Sequence, residues 1–299
     1  MHLLGAALGW GAQKTKVEMG PEEFFKEVHL KELVKKGLAF TVEDIMHPIL
    51  SIKQGEVADK EKRASLVKEF VGRLTEKVSE IVKQDKFPVV IGGDHAIAMG
   101  TWSGVTTALN AEGEFGLIWF DAHMDAHLKD TSPSLAYHGM PLARLLGQGR
   151  KFLVELGTSD IKLNPQHVCL IGIRSYESGE KKLLDDLGVR VFYMEEIKKR
   201  GLNVVFKEAM GIVSEGTKAF GLSVDLDGFD PKDAPATGSL EENGVCAKEA
   251  LVEFEKISYH PKFKALEIAE FNPTLPGKEK TLELMQDILL ACSPKKGLL

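Results

Sequence analysis

Apolar residues along the chain fall into two patterns. Short continuous runs occupy 3–8, 87–91, 115–120, 168–173, 189–193, 220–224 and 263–268. Because they do not alternate with polar residues, they predict parallel strands covered on both faces. Between them apolar positions recur at helical spacing, most clearly over 59–84, where Val67, Phe70, Val71, Leu74, Val78, Ile81 and Val82 mark one face. Further helices are expected over 180–187, 202–214, 247–259 and 281–291. Alternation of strand and helix predicts an α/β fold built on a parallel sheet. The segment 19–54 departs from the scheme, because Pro21, Gly37 and Pro48 interrupt it and its period is weak. Helices and loops packed on the sheet are expected there. No repeat or Pro/Ser-rich linker marks a boundary, so residues 1–299 are read as a single domain.

Composition narrows the partners. Lys and Arg total 38 against 44 Asp and Glu, a formal charge of −6, so no overall positive field exists to attract nucleic acid or anionic lipid. A small-molecule ligand is expected instead. Cys169, Cys246 and Cys292 lie far apart with no CxxC pairing, which fits reduced thiols in the cytoplasm. The apolar start lacks a basic leader and soon meets Gln13 and Lys14, so it reads as a core strand and not as a secretory signal. No run approaches the roughly 20 residues that cross a bilayer.

Chemistry collects where strands end, the place where open α/β sheets bind ligands. Four runs are followed by polar clusters: Gly92-Gly93-Asp94-His95, Asp121-Ala122-His123-Met124-Asp125-Ala126-His127, Asp225-Leu226-Asp227-Gly228-Phe229-Asp230-Pro231 and Glu270-Phe271-Asn272-Pro273. Asp121, His123 and Asp125 alternate, which places them on one side of an extended segment, and Asp225 and Asp227 do the same. Carboxylates this close are costly to bury unless a cation neutralises them. Asp121, Asp125, Asp225, Asp227, His95 and His123 are too many ligands for one four-coordinate zinc and suit two metals sharing carboxylates. Hard oxygen donors with imidazole and no thiolate favour manganese or magnesium, with manganese preferred. Taken alone, Gly92-Gly93-Asp94 also reads as a tight turn with an N-cap, and 225–230 as a solvated or calcium-type acidic loop.

These motifs, in this order, resemble the ureohydrolase superfamily, which contains arginase, agmatinase, guanidinobutyrase and formiminoglutamase. The resemblance runs from Phe87 to the C-terminus. It implies a three-layer α/β/α sandwich and two Mn²⁺ per subunit, one held by His95, Asp121, Asp125 and Asp225, the other by His123, Asp121, Asp225 and Asp227. Asp121 and Asp225 would bridge. It also implies a homo-oligomer, a trimer or a hexamer. His138-Gly139-Met140-Pro141-Leu142-Ala143 and the stretch 227–235 look like the arginase branch. By that similarity His138 transfers protons, Asp125 orients the attacking water and Glu270 holds the substrate guanidinium, a planar fork that suits a bidentate carboxylate.

The expected reaction is hydrolysis of a guanidino compound to urea and an amine, with L-arginine giving L-ornithine as first choice. His127, Ser132, Ser134 and Glu177 are expected to meet the amino-acid end of the substrate. Here the chain departs from the arginase pattern: His127 stands where asparagine is usual, and Ser175 and Glu177 stand where aspartates are usual. The stretch 239–245 also lacks the expected glycine-rich character. Hydrolysis of agmatine, guanidinobutyrate or a formimino compound at the same metals stays open, as does a catalytically silent metal-binding homologue.

Overall fold

The structure is a computed structural model, and it describes residues 1–12, 16–49, 60–149, 151, 155–157 and 161–295. Its frame is an eight-stranded parallel sheet formed by β1 (His2–Ala6), β2 (Thr41–Met46), β3 (Pro88–Gly92), β4 (Phe115–Phe120), β5 (Val168–Ile173), β6 (Arg190–Tyr193), β7 (Ala219–Asp225) and β8 (Phe263–Ala269). The strand order is β2-β1-β3-β8-β7-β4-β5-β6. The continuous apolar runs are those of the buried strands, which face helices on both sides.

The helices are α1 (Gly20–Phe24), α2 (Glu27–Lys35), α3 (Lys60–Lys83), α4 (Ala98–Leu109), α5 (Pro141–Leu145), α6 (Ser178–Leu187), α7 (Met194–Arg200), α8 (Leu202–Ser214), α9 (Ala247–Ser258) and α10 (Lys278–Ala291). Side chains alternate across the sheet into two cores. From β4, Phe115, Leu117 and Trp119 join α3 and α4 on one face. Ile118 and Phe120 join α8, α9 and α10 on the other. The result is a three-layer α/β/α sandwich. On the first face α4 lies close against α3: a Cβ at Gly100 would come within 2.8 Å of Val71 O, and one at Gly104 within 2.6 Å of Thr75 O.

Two expectations need correction. The segment 19–54, where the sequence predicts only helices and loops, contributes β2, which pairs with β1 at the sheet edge. Its pattern is weak because only Met46 of β2 is buried, while Thr41 and Val42 are exposed. Helix α4 has no counterpart among the predicted elements; it is rich in Ala, Gly and Thr and buried on every side over most of its length, so it has no polar stripe to reveal its period. Gln13, Lys14, residues 50–54 and the expected helix start at Asp59 lie outside the described residues. No helix among the described residues is long and apolar enough to cross a membrane.

Candidate metal centre

The four polar clusters follow β3, β8, β7 and β4, which are consecutive in the sheet. Phe120 pairs with Val224, so Asp121 and Asp225 leave neighbouring strands at the same level. Beyond β4 the chain does not stay extended. Residues 121–123 form bends, and Asp125 takes a left-handed conformation with φ 50°. The alternation expected of Asp121, His123 and Asp125 is thus broken, and the three side chains converge through the bends. Glu270, with φ 69°, is left-handed as well. Such backbone in non-glycine residues persists where surrounding structure holds it. Here Leu142 N–H donates to Asp125 O at 3.0 Å, and Glu270 N–H donates to Gly93 O at 2.9 Å.

Two groups of ligand atoms result, His95 with Asp121 and Asp225, and His123 with Asp121 and Asp227. In the first, His95 Nδ1 lies 3.2 Å from Asp121 Oδ2, 3.1 Å from Asp125 Oδ2 and 3.1 Å from Asp225 Oδ2. In the second, His123 Nδ1 lies 3.1 Å from Asp227 Oδ2 and 3.6 Å from Asp121 Oδ1. Asp121 is the carboxylate common to both.

Buried supports orient these ligands. His95 Nε2 lies 2.9 Å from Ser223 Oγ, which donates to Glu267 Oε1 at 2.8 Å. That chain assigns the ring proton to Nε2 and turns the Nδ1 lone pair toward three carboxylate oxygens, where it makes no hydrogen bond although buried. Trp119 Nε1–H donates to Asp121 Oδ2 at 2.8 Å, and its ring stacks on His95 at 4.2 Å. Asp94 caps the turn carrying His95, and its carboxylate also accepts from Gly11 N–H at 2.8 Å and Ala12 N–H at 3.3 Å. Gly11 O in turn accepts from the backbone N–H of Tyr137 and His138. The loop after β1 thus ties the turn carrying His95 to the His138 segment.

The electrostatics are those of a site made for cations. Burial and the neighbouring Asp227 and Asp121 charges push Asp225 well above the usual carboxylate range. Burial, with Asp121 beside it and His123 opposing, lifts Asp227 to about 6. Burial opposes ionisation of His95, but the facing carboxylates Asp121, Asp125 and Asp225 raise it well above its ordinary value. Lone pair against lone pair, at 3.1–3.2 Å and out of water, is repulsive unless positive charge lies between. The donor set, four carboxylates and two imidazoles in two groups sharing Asp121, fits a pair of divalent ions.

A cleft of about 180 Å³ opens onto this cage and is lined by His123, Asp125, Asp225 and Asp227 at its floor, with His138, Glu270, His127, Glu177, Glu180, Ser134 and Ser239 around it. Glu270 Oε1 accepts from His95 N–H at 2.9 Å and lies 3.1 Å from His138 Nδ1, while buried Oε2 has no hydrogen-bond partner among the described residues. Burial would lower the His138 pKa, but the Glu270 hydrogen bond and charge, with Asp94 and Asp125 near, raise it to about 9. His127 Nδ1 lies 3.2 Å from Thr131 Oγ1, and Nε2 lies 2.9 Å from Glu177 and 3.2 Å from Glu180. Of the two serines, Ser134 lines the cleft, whereas buried Ser132 accepts from Leu135 N–H at 2.9 Å and does not.

All six sequence-predicted metal ligands therefore meet, with His138 and Glu270 beside them. Sequence reasoning misses Trp119, Ser223, Glu267 and Glu180. Glu267 carries a signal, a lone carboxylate inside the apolar run of β8. Glu180 stands three residues after Glu177 and accepts its N–H at 3.1 Å, a spacing that reads as helix capping alone.

The central strand ends of one parallel sheet thus carry a paired His/Asp cage suited to a metal-dependent hydrolase. The arginase family model matches residues 1–293, reaching back through the N-terminal region, which carries none of the four motifs. The chain is 35% identical to arginase of Bacillus caldovelox over 94% of this chain and 93% of that protein. It is 35% identical to arginase of Bacillus subtilis over 97% of each. The solved structure of the Bacillus caldovelox arginase superposes with a TM-score of 0.90 at 32% identity, covering 100% of this chain and 99% of that one. The chain belongs to the arginase family.

Proposed function

We propose that the protein hydrolyses L-arginine to L-ornithine and urea, using two Mn²⁺ held by His95, Asp121, Asp125 and Asp225 and by His123, Asp121, Asp225 and Asp227. The observation that carries this reading is the His95 Nδ1 lone pair facing three carboxylate oxygens at the floor of the cleft. Manganese follows from hard oxygen donors with imidazole and no thiolate. When bound, such a pair of ions supplies a water ionised near neutral pH. Asp125 accepts a hydrogen bond from the attacking water and aims it at the guanidinium carbon. Glu270, with Oε2 unpartnered, pairs with the guanidinium. His138 keeps one nitrogen on Glu270 and uses the other to move the proton that the departing amine needs.

The outer wall favours an amino acid. Glu177 and Glu180 supply acceptors for an α-ammonium, and Ser134 supplies a hydroxyl for the carboxylate. The contact of His127 with both glutamates supports a second reading, because a guanidino acid without an α-amino group leaves that contact intact. The purified, manganese-loaded protein assayed against arginine, agmatine, 4-guanidinobutyrate and formiminoglutamate tests the proposal. Arginine is expected to lead by roughly tenfold or more in kcat/KM. Preference for guanidinobutyrate selects the second reading, and turnover of none selects a silent homologue.

The same reading makes the chain one domain, supported by a single sheet that takes strands from both chain ends. It places the protein in the cytoplasm, in keeping with cysteines outside any disulfide, and assembles it as a trimer or hexamer by resemblance.

A further inference from the structure

The two imidazoles of the cage are supported differently. His95 is fully buried, and its outer nitrogen is tied through Ser223 to Glu267. His123 is 28% exposed and has no such buried chain; its Nε2 points to the cleft rim, where Glu241 Oε1 lies 3.6 Å away. That separation exceeds a hydrogen bond but is within ion-pair reach. Glu241 lies in the stretch 239–245, whose sequence departs from the family pattern.

This stretch has little regular structure, yet it is firmly held. The Arg174 guanidinium donates to six main-chain carbonyls. Nη2 reaches Glu241 O at 2.8 Å, Asp227 O at 2.6 Å and Phe229 O at 3.2 Å. Nη1 reaches Gly172 O at 3.0 Å and Gly228 O at 3.3 Å, and Nε reaches Glu242 O at 3.1 Å. A planar fork of five N–H groups thereby joins the Glu241 loop to the segment carrying Asp227. The loop also packs directly on that segment: a Cβ at Gly244 would stand 2.4 Å from Phe229 C, and Asp230 N–H donates to Val245 O at 3.0 Å. The backbone of Glu241 is thus tied to the segment of Asp227, the carboxylate 3.1 Å from the inner nitrogen of the same histidine.

We propose that Glu241 is a positioning residue for the His123 metal site: presented by the Arg174 clamp, its carboxylate takes the outer N–H of His123 and holds the inner nitrogen toward Asp121 and Asp227. A carboxylate on the far side of a ligand imidazole fixes its tautomer and raises its basicity, and removing such a partner commonly costs 10–100-fold in metal affinity. Because Glu241 is part-exposed and 3.6 Å away, an effect at the lower end is expected.

The inference rests on the two-ion reading, and Mn²⁺ titration calorimetry of the metal-stripped protein tests both separately. Wild type is expected to bind two equivalents. Glu241→Gln, which keeps the shape and removes the charge, should weaken one of them about tenfold and leave the other unchanged. Glu241→Lys should weaken the same site further. Thermal unfolding of both metal-free variants should match wild type. Two wild-type affinities in Glu241→Gln overturn the proposal, as does equal weakening of both sites or a lowered metal-free Tm, since either of the latter assigns the residue to loop structure. A wild type that binds fewer than two equivalents overturns the two-ion reading itself.

Discussion

Asp121 joins more of the site than any other residue. One oxygen accepts from Trp119 and faces His95, and the other accepts from the His123 N–H at 2.6 Å. Asp121→Ala is therefore expected to abolish binding of both ions, whereas His95→Ala weakens mainly one; metal analysis of the purified variants decides it, and two equivalents retained by Asp121→Ala would refute the shared assignment. His138 gives a second prediction at this scale. Its pKa is raised from 6.5 to about 9, chiefly by Glu270 against the opposing effect of burial. A base with a raised folded pKa adds stability that is fully present below its unfolded value and fades as pH rises through the folded one. In the metal-free protein, the Tm advantage of wild type over His138→Asn, which keeps a donor but cannot be charged, should be largest below about pH 6.5 and shrink through pH 9. A pH-independent difference would show that the charge of His138 plays no part.

Among the elements, α4 packs closely on α3. A methyl at Gly104 meets the Thr75 carbonyl at 2.6 Å, so Gly104→Ala should cost about 1–3 kcal/mol. Gly72, inside α3, has open space at its Cβ position, and Gly72→Ala should stabilise by about 0.5–1 kcal/mol. Thermal denaturation of the two variants checks both signs. The same elements show what can be read from sequence. Strands β3, β4, β5, β7 and β8 announce themselves by continuous apolar runs, and the amphipathic α3, α6, α8, α9 and α10 by helical period. Strand β2 and α4 do not, one because it is a largely uncovered edge, the other because it is covered everywhere. The candidate metal ligands are legible because carboxylates directly after apolar strands end up buried together, an arrangement that is costly without a cation. Their supports are not: Ser223 and Trp119 lie within ordinary strand sequence, and only the pairing of β7 with β8 sets Ser223 opposite Glu267.

On the scale of the whole molecule, the strand order has a consequence for how the protein is made. Strand β3 lies between β1 and β8, which come from opposite regions of the chain. During translation β1, β2 and β3 emerge early, and the inner edge of β3 waits for a partner that arrives after most of the remaining chain. Pairings of such sequence separation form slowly and leave strand edges open in the meantime. Two of the six candidate cage ligands are late as well. His95, Asp121, His123 and Asp125 are synthesised about a hundred residues before Asp225 and Asp227, so a nascent chain offers an incomplete set of ligands. Any divalent ion caught at that stage would be held without the geometry that completes each group, under conditions where copper and zinc outcompete manganese for nitrogen and oxygen donors. If the site takes manganese, as proposed, faithful loading with this weaker-binding metal belongs to the finished sheet, after β7 has brought Asp225 and Asp227 and β8 has joined β7 to β3.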